Sequence, residues 1–134
     1  MKLYVYDHCP FCVRARMIFG LKNLPVELVV LANDDEATPI GLVGKKVVPI
    51  LVKEEGTAMP ESLDIVHYVD EHFGEKILSE HVRPEIEVWL KEVGSYYGHL
   101  TTARFTQIGL AEFETQSAVD YFTKKKTEFI GDFA

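Results

Sequence analysis

The chain has 134 residues, of which 47% are hydrophobic and 26% charged, and its formal net charge is −7. This composition excludes an intrinsically disordered chain, and the negative charge argues against nucleic acid as the main partner, because phosphate binding needs clustered Lys and Arg. No apolar stretch approaches the roughly 20 residues that span a bilayer, and the short N-terminal apolar run does not resemble a signal peptide. We therefore expect a cytoplasmic protein with no membrane partner, in which two cysteines serve chemistry rather than a structural disulfide.

The first third of the chain alternates between strand and helix patterns. Residues 2–6 are mostly β-branched and aromatic and predict a strand. A helix is predicted from Pro10, which suits the first helical turn, to a point before Pro25. Its apolar positions recur at helical spacing and are Val13, Met17, Ile18 and Leu21. Residues 26–31 predict a second strand, which is apolar except for Glu27 and is therefore expected to be covered on both faces.

A short helix and a hairpin are predicted next. The polar residues 33–36 are able to cap a helix that runs towards Val43 and ends at Gly44. Residues 47–52 predict a strand with a proline near its start, where a missing N–H is tolerated. Residues 57–59 follow a glycine and predict the partner strand of a hairpin.

Residues 62–73 form the last helical pattern of this part, with Ser62 as a candidate N-cap and Gly74 at its end. Its predicted apolar positions are Leu63, Ile65, Val66 and Val69. The predicted order is β-α-β-α-β-β-α, and we place a first domain at residues 1–74.

The rest of the chain is predicted to be helical. A polar linker at 75–82 precedes a second domain at 83–134 with two helical patterns, 83–100 and 110–129. The apolar stripe of the first pattern, which we expect to be core, comprises Ile86, Trp89, Leu90, Val93, Tyr96, Tyr97 and Leu100. The basic run 124–126 is interpreted as a solvated helix face.

The sequence Cys9-Pro10-Phe11-Cys12 lies where the first strand passes into the first helix. The free N–H groups and dipole of the first helical turn stabilise an anion, so the pKa of Cys9 is expected to fall from about 8.5 into the range of about 3.5–7.5. A fall to ~5 raises the thiolate fraction at neutral pH by about 30-fold, but intrinsic nucleophilicity drops by a similar factor. The main advantage of the lowered pKa is therefore that Cys9 is a good leaving group, which leaves a mixed disulfide readily. Cys12, one turn into the helix, is expected to be more enclosed.

Two other interpretations of the cysteine pair remain open. A C-x-x-C motif is half of many zinc sites, but tetrahedral zinc takes about four ligands and the chain has no second cysteine pair. His8 is available as a third ligand, or it tunes the neighbouring thiol. The other interpretation is a pair of buried, inert cysteines.

A second cluster consists of Val48-Pro49 and Glu61-Ser62, at the start of one predicted strand and of the next helix. A helix N-terminus binds anions, so the N–H groups near Ser62 are able to hold a carboxylate, and Glu61 an ammonium group. Together they suit the amino-acid end of a γ-glutamyl group. Helix capping explains the same two residues without a ligand.

Several runs carry a resemblance to a known family. They are residues 1–12, 15–23, 48–51, 59–62, 64–69 and 89–90. Together they closely resemble the bacterial glutaredoxin-2 family, two-domain glutaredoxins that are similar to glutathione transferases. The C-P-x-C motif alone is shared with other thioredoxin-fold enzymes, whereas its combination with Val48-Pro49 and Glu61-Ser62 is specific.

This resemblance implies an α/β thioredoxin fold, a mixed four-stranded sheet flanked by helices, followed by a partial all-α domain like that of glutathione transferases. It implies glutathione as cosubstrate, no metal, and a cis bond before Pro49. By the same likeness Cys9 is the nucleophile, Cys12 the resolving thiol, and Val48 pairs through its backbone with the cysteinyl part of glutathione. Glu61 and Ser62 would bind its γ-glutamyl end. Phe11, where a tyrosine is common, would keep an apolar wall.

The family also continues beyond the point where this chain stops, so only about two helices of the second domain are expected. Such a partial domain would expose apolar surface from Trp89, Tyr97 or Phe122 and favour self-association.

The activity implied is the reduction of protein–glutathione mixed disulfides and other disulfides by glutathione through Cys9 and Cys12. A glutathione transferase-like conjugating enzyme is one alternative, but cysteine stands where that class needs an activating Ser or Tyr. A non-catalytic module that holds an iron–sulfur cluster through Cys9 and glutathione is another. Pro10 and the second cysteine fit redox turnover better.

Overall fold

The computed structural model describes residues 1–79, 81 and 83–131, and within them four strands and five α-helices follow one another. Their bounds are β1 Lys2–Val5, α1 Pro10–Leu21, β2 Glu27–Val30, α2 Ala37–Val43, β3 Ile50–Val52, β4 Ala58–Pro60, α3 Ser62–His72, α4 Pro84–Phe105 and α5 Gln116–Ile130, with a 3₁₀ turn, Ala111–Phe113, before α5. The first seven elements have the predicted order. The predicted linker and second domain include residues 80, 82 and 132–134, which lie outside the described residues.

The four strands form one mixed sheet in the order β2-β1-β3-β4. Strand β1 runs parallel to β2 and antiparallel to β3, so that Leu3 lies between Leu28 and Leu51, and β3 pairs antiparallel with β4. The parallel β1–β2 pair is joined by α1, because parallel neighbours need a crossover connection. With α1 and α3 packed against each other, this is the thioredoxin fold that the resemblance implied.

The core is shared by β1, α1, β3 and α3. Residues with no exposed surface in these elements are Leu3, Val5, Cys12, Ala15, Ile50, Leu51, Ile65 and Val69. Burying such side chains stabilises a fold by about 1.5–3 kcal/mol for each large aliphatic one. The β1–α1 corner that carries the cysteine pair is therefore part of the buried core.

Two predictions of burial were wrong in this part. On α1, Ile18 is buried as predicted, but Val13, Met17 and Leu21 are exposed, and the other buried residues are Cys12, Ala15 and Phe19. Apolar residues occur on both the buried and the exposed face of the helix, so periodicity alone selected three of the four positions wrongly. Strand β2 was expected to be covered on both faces, but it lies at the edge of the sheet, and Glu27 and Leu28 are exposed.

The N-cap residue of helix α3 lies one position earlier in the chain than predicted. Ser62 is its first helical residue, and Glu61 takes the N-cap position without a side-chain capping bond. Ile65, Val66 and Val69 face the core as predicted, whereas Leu63 is exposed.

The helical part differs from prediction at two places. Thr115 interrupts the predicted helix 110–129, because its Oγ1 accepts the N–H of Ala118 at 3.2 Å and caps α5. The apolar stripe of α4 is not core: its exposed members include Trp89 and Tyr97, while Phe122 on α5 is buried rather than exposed. Among the helices of residues 1–79 and 83–131, none combines the length and apolar character needed to cross a bilayer.

A buried ion pair lies at the end of α3 and stabilises it. The sequence analysis did not identify this pair. The ammonium group of Lys22 lies 2.9 Å from the Asp70 carboxylate, and the two side chains are only 4% and 1% exposed. The same ammonium group donates to the carbonyls of Asp70, Phe73 and Glu75 at 2.7–2.8 Å. The carboxylate in turn accepts the N–H groups of residues 77 and 78. These bonds connect the segment that follows α3 to α1.

Candidate active site

Cys9 lies at the junction of β1 and α1 and is the N-cap residue of the helix. Its carbonyl accepts the N–H of Val13 at 3.0 Å, and Pro10 occupies the first helical position. The thiol therefore stands beside the free N–H groups of the first turn, as predicted from the spacing. Cys9 is only 9% exposed.

The surroundings of Cys9 lower its pKa to about 6. A hydrogen bond from the Cys12 thiol contributes most, burial opposes it, and the backbone N–H groups of Cys12 and Phe11 and the charge of His8 add to the lowering. A thiol of this pKa is about 90% ionised at pH 7. Because an attacking thiol is most effective when its pKa lies near the ambient pH, Cys9 suits both attack and departure. The sequence argument had emphasised departure alone.

Cys12 is fully buried, and both cysteines are free thiols. Its pKa is raised, first by the hydrogen bond to Cys9, then by burial and by the negative charge of Cys9. The Tyr6 N–H points at its sulfur from 3.4 Å. Two of the causes that hold the proton on Cys12 depend on a Cys9 thiolate. They disappear once Cys9 is bonded to another sulfur.

A cavity of about 700 Å³ opens beside Cys9, within the range of about 300–1,000 Å³ that small-molecule sites occupy. One wall carries Cys9, Phe11 and Val48, which belong to the part of the chain that forms the sheet. The facing wall comes from α4 and α5 and comprises Tyr97, Thr101, Thr102, Phe105, Tyr121 and Phe122. Both parts of the chain therefore build the site.

The cavity is bordered by basic side chains although the chain as a whole is acidic. Lys46 lies over the Tyr121 ring, with its ammonium group 3.6 Å from the ring centroid, and it donates to the Asn33 carbonyl. Lys125 and Lys126 are exposed, as predicted for the run 124–126, and they also line the cavity. Anionic ligands are favoured beside such a rim.

Of the other predicted site residues, Val48 and Phe11 line the cavity, whereas Pro49, Glu61 and Ser62 are not among its lining residues. The bond between Val48 and Pro49 is cis, as the resemblance implied.

Glu61 and Ser62 stand together at the start of α3. Glu61 has a φ of 74°, a backbone conformation that is uncommon outside glycine, and its carboxylate pairs with the exposed Lys45 at 3.0 Å. Ser62 is buried, and its hydroxyl accepts from the Arg14 guanidinium at 3.3 Å. Their role towards a ligand stays a prediction.

His8 has surroundings that the sequence did not reveal. Its ring is enclosed by four aromatic rings with centroids 4.9–5.5 Å away, those of Tyr6, Phe105, Phe113 and Phe122. Its Nδ1 lies 2.7 Å from the Glu112 carboxylate, which belongs to the 3₁₀ turn of the helical part. No local pattern indicates this pairing, because the two residues are 104 positions apart. Within the described residues, no three His, Cys, Asp or Glu side chains come together as a metal site.

Comparison with known proteins places the chain in a family. Residues 3–77 match the glutathione S-transferase N-terminal domain, and residues 85–134 match the glutaredoxin 2 C-terminal domain. Glutaredoxin 2 of Escherichia coli K12 is 54% identical over the whole chain, which spans 62% of that protein's length.

Solved structures agree with this placement. The structure of glutaredoxin 2 from Salmonella typhimurium in complex with glutathione superposes on this chain with a TM-score of 0.95 at 55% sequence identity. The superposed region is 98% of this chain and 61% of the Salmonella chain. A tau class glutathione S-transferase from mango shares the fold, with a TM-score of 0.58 at 24% identity over 92% of this chain and 58% of that one. The chain therefore belongs to the glutathione S-transferase N-terminal domain family, and its predicted resemblance to glutaredoxin 2 is confirmed along its whole length.

Proposed function

We propose that this chain is a glutathione-dependent thiol–disulfide oxidoreductase that reduces protein–glutathione mixed disulfides and other disulfides through Cys9 and Cys12. The observation that carries the proposal is a Cys9 thiol with a pKa of about 6, hydrogen-bonded by a second free thiol and open to a ligand-sized cavity. Both features are those of a nucleophilic cysteine and its resolving partner. The glutathione complex of the Salmonella relative supports glutathione as the cosubstrate.

The reaction takes place in two exchanges. The Cys9 thiolate attacks the sulfur of the glutathionyl group, the bond between the substrate protein and glutathione breaks, and the released protein thiolate takes up a proton. A second glutathione, as thiolate, then attacks the glutathione sulfur of the Cys9 adduct. Oxidised glutathione leaves, and Cys9 returns as a thiolate, which its low pKa favours.

A protein disulfide follows a different second step. When Cys9 is bonded to the substrate sulfur, the hydrogen bond and the charge that hold the Cys12 proton are both removed. Cys12 then loses its proton and attacks Cys9, so that a Cys9–Cys12 disulfide forms and the substrate leaves as a thiol. Two glutathione molecules reduce that disulfide again.

Glutathione fits the site by its charges. Its two carboxylates and one ammonium group give it a net negative charge, which the lysines that border the cavity complement. We assign the backbone of Val48, next to Pro49, to the cysteinyl part and Phe11 to the apolar wall. Glu61 and Ser62 are assigned to the γ-glutamyl end, where the start of α3 offers free N–H groups.

A glutathione-coupled assay with a glutathionylated peptide tests this proposal. We expect turnover by the unmodified chain, and an increase in the KM for glutathione of about 5- to 50-fold in Ser62→Ala, with little change in kcat, because a buried hydrogen-bond partner is lost. Ser95→Ala, a serine exposed on α4, is the matched control and should behave as the unmodified chain. Absence of turnover in the unmodified chain would contradict the function. An unchanged KM in a folded Ser62→Ala protein would contradict only the assignment of Ser62.

The proposed partners are proteins that carry glutathione or a disulfide, and the proposed location is the cytoplasm. A second copy of the chain is a further proposed partner. The exposed stripe of α4, defined by Ile86, Trp89, Leu90, Tyr97 and Leu100, is a large apolar surface of the kind that promotes association.

Self-association is tested by sedimentation at increasing concentration. Leu90→Glu should shift the protein towards monomer, whereas Leu63→Glu, a leucine of almost equal exposure on α3, should not (50% and 52% exposed). A monomer at every concentration in the unmodified chain would refute this partner.

A further inference from the structure

Helix α5 places two lysines at the border of the large cavity. Lys125 and Lys126 line this cavity, whereas Lys124, the first lysine of the same run, is not among the lining residues. Their ammonium groups lie 5.7 Å from the ring centroids of Tyr121 and Phe122, respectively, which stand one helical turn earlier. At this distance an ammonium group is attracted to an aromatic face. Both charges are therefore held near the wall of the cavity, although the two side chains are exposed.

The two lysines have no acidic partner within the part of the chain that the structure describes. Neither Lys125 nor Lys126 forms an ion pair there. The closest acidic residue along α5 is Glu128, which does not line the cavity. Of the described lining residues only Glu36 is acidic, and it accepts a hydrogen bond from the Tyr121 hydroxyl. The ammonium groups of the two lysines thus remain available to an anion from outside the chain.

Lys46 belongs to the same basic border but has different surroundings. Its ammonium group lies 3.6 Å from the centroid of the Tyr121 ring and donates to a main-chain carbonyl. Burial lowers the pKa of Lys46, while the carboxylates of Glu36 and Asp34 act against this effect, so acidic groups of the chain are already close to it. The uncompensated positive charge at the cavity is therefore that of the two lysines of α5.

A mixed disulfide brings two different halves to the cavity. In the proposed function its glutathionyl half lies along Val48 and the start of α3, in the part of the chain that forms the sheet. The polypeptide half is joined to it through the disulfide and is left to the facing wall, which α4 and α5 build. The substrate residues next to the reacting cysteine are then the groups that approach Lys125 and Lys126. Carboxylate side chains at these positions would form charge-assisted hydrogen bonds with the ammonium groups.

We propose that Lys125 and Lys126 bind acidic side chains next to the glutathionylated cysteine of the substrate, so that the protein prefers mixed disulfides in acidic sequences. The inference deepens the proposed function and rests on it, because it names the substrate class of the same site. The chain as a whole has a net charge of −7 and repels acidic polypeptides. At physiological ionic strength, however, charges further apart than about 8 Å are largely screened from each other. The two lysines that touch the substrate therefore outweigh the acidic remainder of the chain.

The experiment compares two glutathionylated peptides that differ only beside the cysteine, with two glutamates in one and two glutamines in the other. The measured quantity is the kcat/KM for the acidic peptide divided by that for the neutral peptide, in the glutathione-coupled assay. We expect a ratio of about 3–20 in the unmodified chain, since each exposed ion pair contributes modestly. In the double variant Lys125→Gln/Lys126→Gln the ratio should fall to within about twofold of unity. Any effect of the lysines on glutathione itself cancels in this ratio.

The double variant Lys91→Gln/Lys124→Gln is the matched control. It removes the same net charge from exposed lysines of α4 and α5 that do not line the cavity, and it should keep the ratio of the unmodified chain. An equal fall in both double variants would show that only the net charge matters. A rate that falls by the same factor for both peptides in Lys125→Gln/Lys126→Gln would assign the lysines to glutathione. Either outcome would overturn the proposal.

Peptide binding separates this inference from the proposed function. Each peptide is prepared with a thioether in place of the disulfide, so that it binds without reacting, and its Kd is measured by fluorescence anisotropy. The acidic analogue should bind about 3–20-fold more tightly than the neutral one at about 0.1 M salt, and this preference should disappear at about 1 M salt, where the screening length is about 3 Å. Equal affinities at low salt would overturn the inference even if turnover were normal. A clear preference in a chain without turnover would contradict the proposed function alone.

Discussion

Cys9→Ser should lose at least about 10³-fold of its kcat/KM in the glutathione-coupled assay, because the nucleophile of the reaction is removed. A serine hydroxyl at this helix N-terminus is not ionised at neutral pH, and oxygen does not form the adduct from which glutathione is released. The lost interaction is covalent, so more glutathione should not restore the rate. Turnover within about tenfold of the unmodified chain would remove Cys9 from the mechanism.

Replacing Cys12 separates the two routes. Cys12→Ser should reduce protein disulfides poorly but retain most of its activity towards mixed disulfides with glutathione, since the hydroxyl still hydrogen-bonds Cys9. Cys12→Ala removes the hydrogen bond that contributes most to the low pKa of Cys9, so its activity should require a higher pH. If Cys12→Ser lost both activities equally, the resolving role would be wrong.

Lys22→Met should destabilise the folded chain by about 2–4 kcal/mol, measured as the free energy of unfolding in urea. The change leaves the Asp70 carboxylate without its counter-charge and three carbonyls without their donor. The methionine keeps the volume and the apolar stem, so packing changes little. Such a loss is a large part of the free energy of unfolding of a typical domain, which is about 5–15 kcal/mol.

Lys2→Met is the matched control for that measurement. Lys2 pairs with Glu27 at 3.4 Å, but both side chains are more than half exposed, and such surface pairs contribute little. If the two lysine variants lost the same stability, the network at the end of α3 would have no special role.

The network also has a pH signature. Burial raises the pKa of Asp70, yet the N–H groups of Ile77 and Leu78 and the Lys22 ammonium lower it more, and the result is below the usual value. A group whose pKa is lower in the folded state stabilises the fold above its unfolded pKa of about 3.9, and this contribution is lost as the pH falls through the folded value. Acid unfolding should therefore be less steep in Asp70→Asn.

The local features of the site could be predicted because each depends on a few neighbouring residues. A β-branched and aromatic run followed by Pro10 indicated the junction of strand and helix at which Cys9 lies. The pKa of Cys9 is lowered first by the hydrogen bond from Cys12, and the backbone N–H groups at this junction add to the lowering. Gly44 closed its helix in the left-handed conformation expected of it, with a φ of 76°. In the same way the order of the first seven elements followed from hydrophobic periodicity and turn residues.

Predictions that depended on distant parts of the chain were wrong. Periodicity on α1 selected Val13, Met17 and Leu21, yet which face of a helix is buried depends on the elements packed against it. Likewise the apolar composition of β2 suggested a central strand, and only the sheet order showed that it is an edge. Capping at Thr115 outweighed the continuous helical pattern that the sequence suggested around it.

The sequence by itself determined the local arrangement of the candidate site: two thiols lie one helical turn apart, and the more N-terminal one stands at a helix start, where a thiolate is stabilised. The tertiary structure alone decided which buried polar side chains are paired. Glu112 reaches His8 across 104 positions, and Lys22 reaches Asp70 across 48. The physical reason is that a buried charge must find its partner in space, and no spacing along the chain records where the fold will place it.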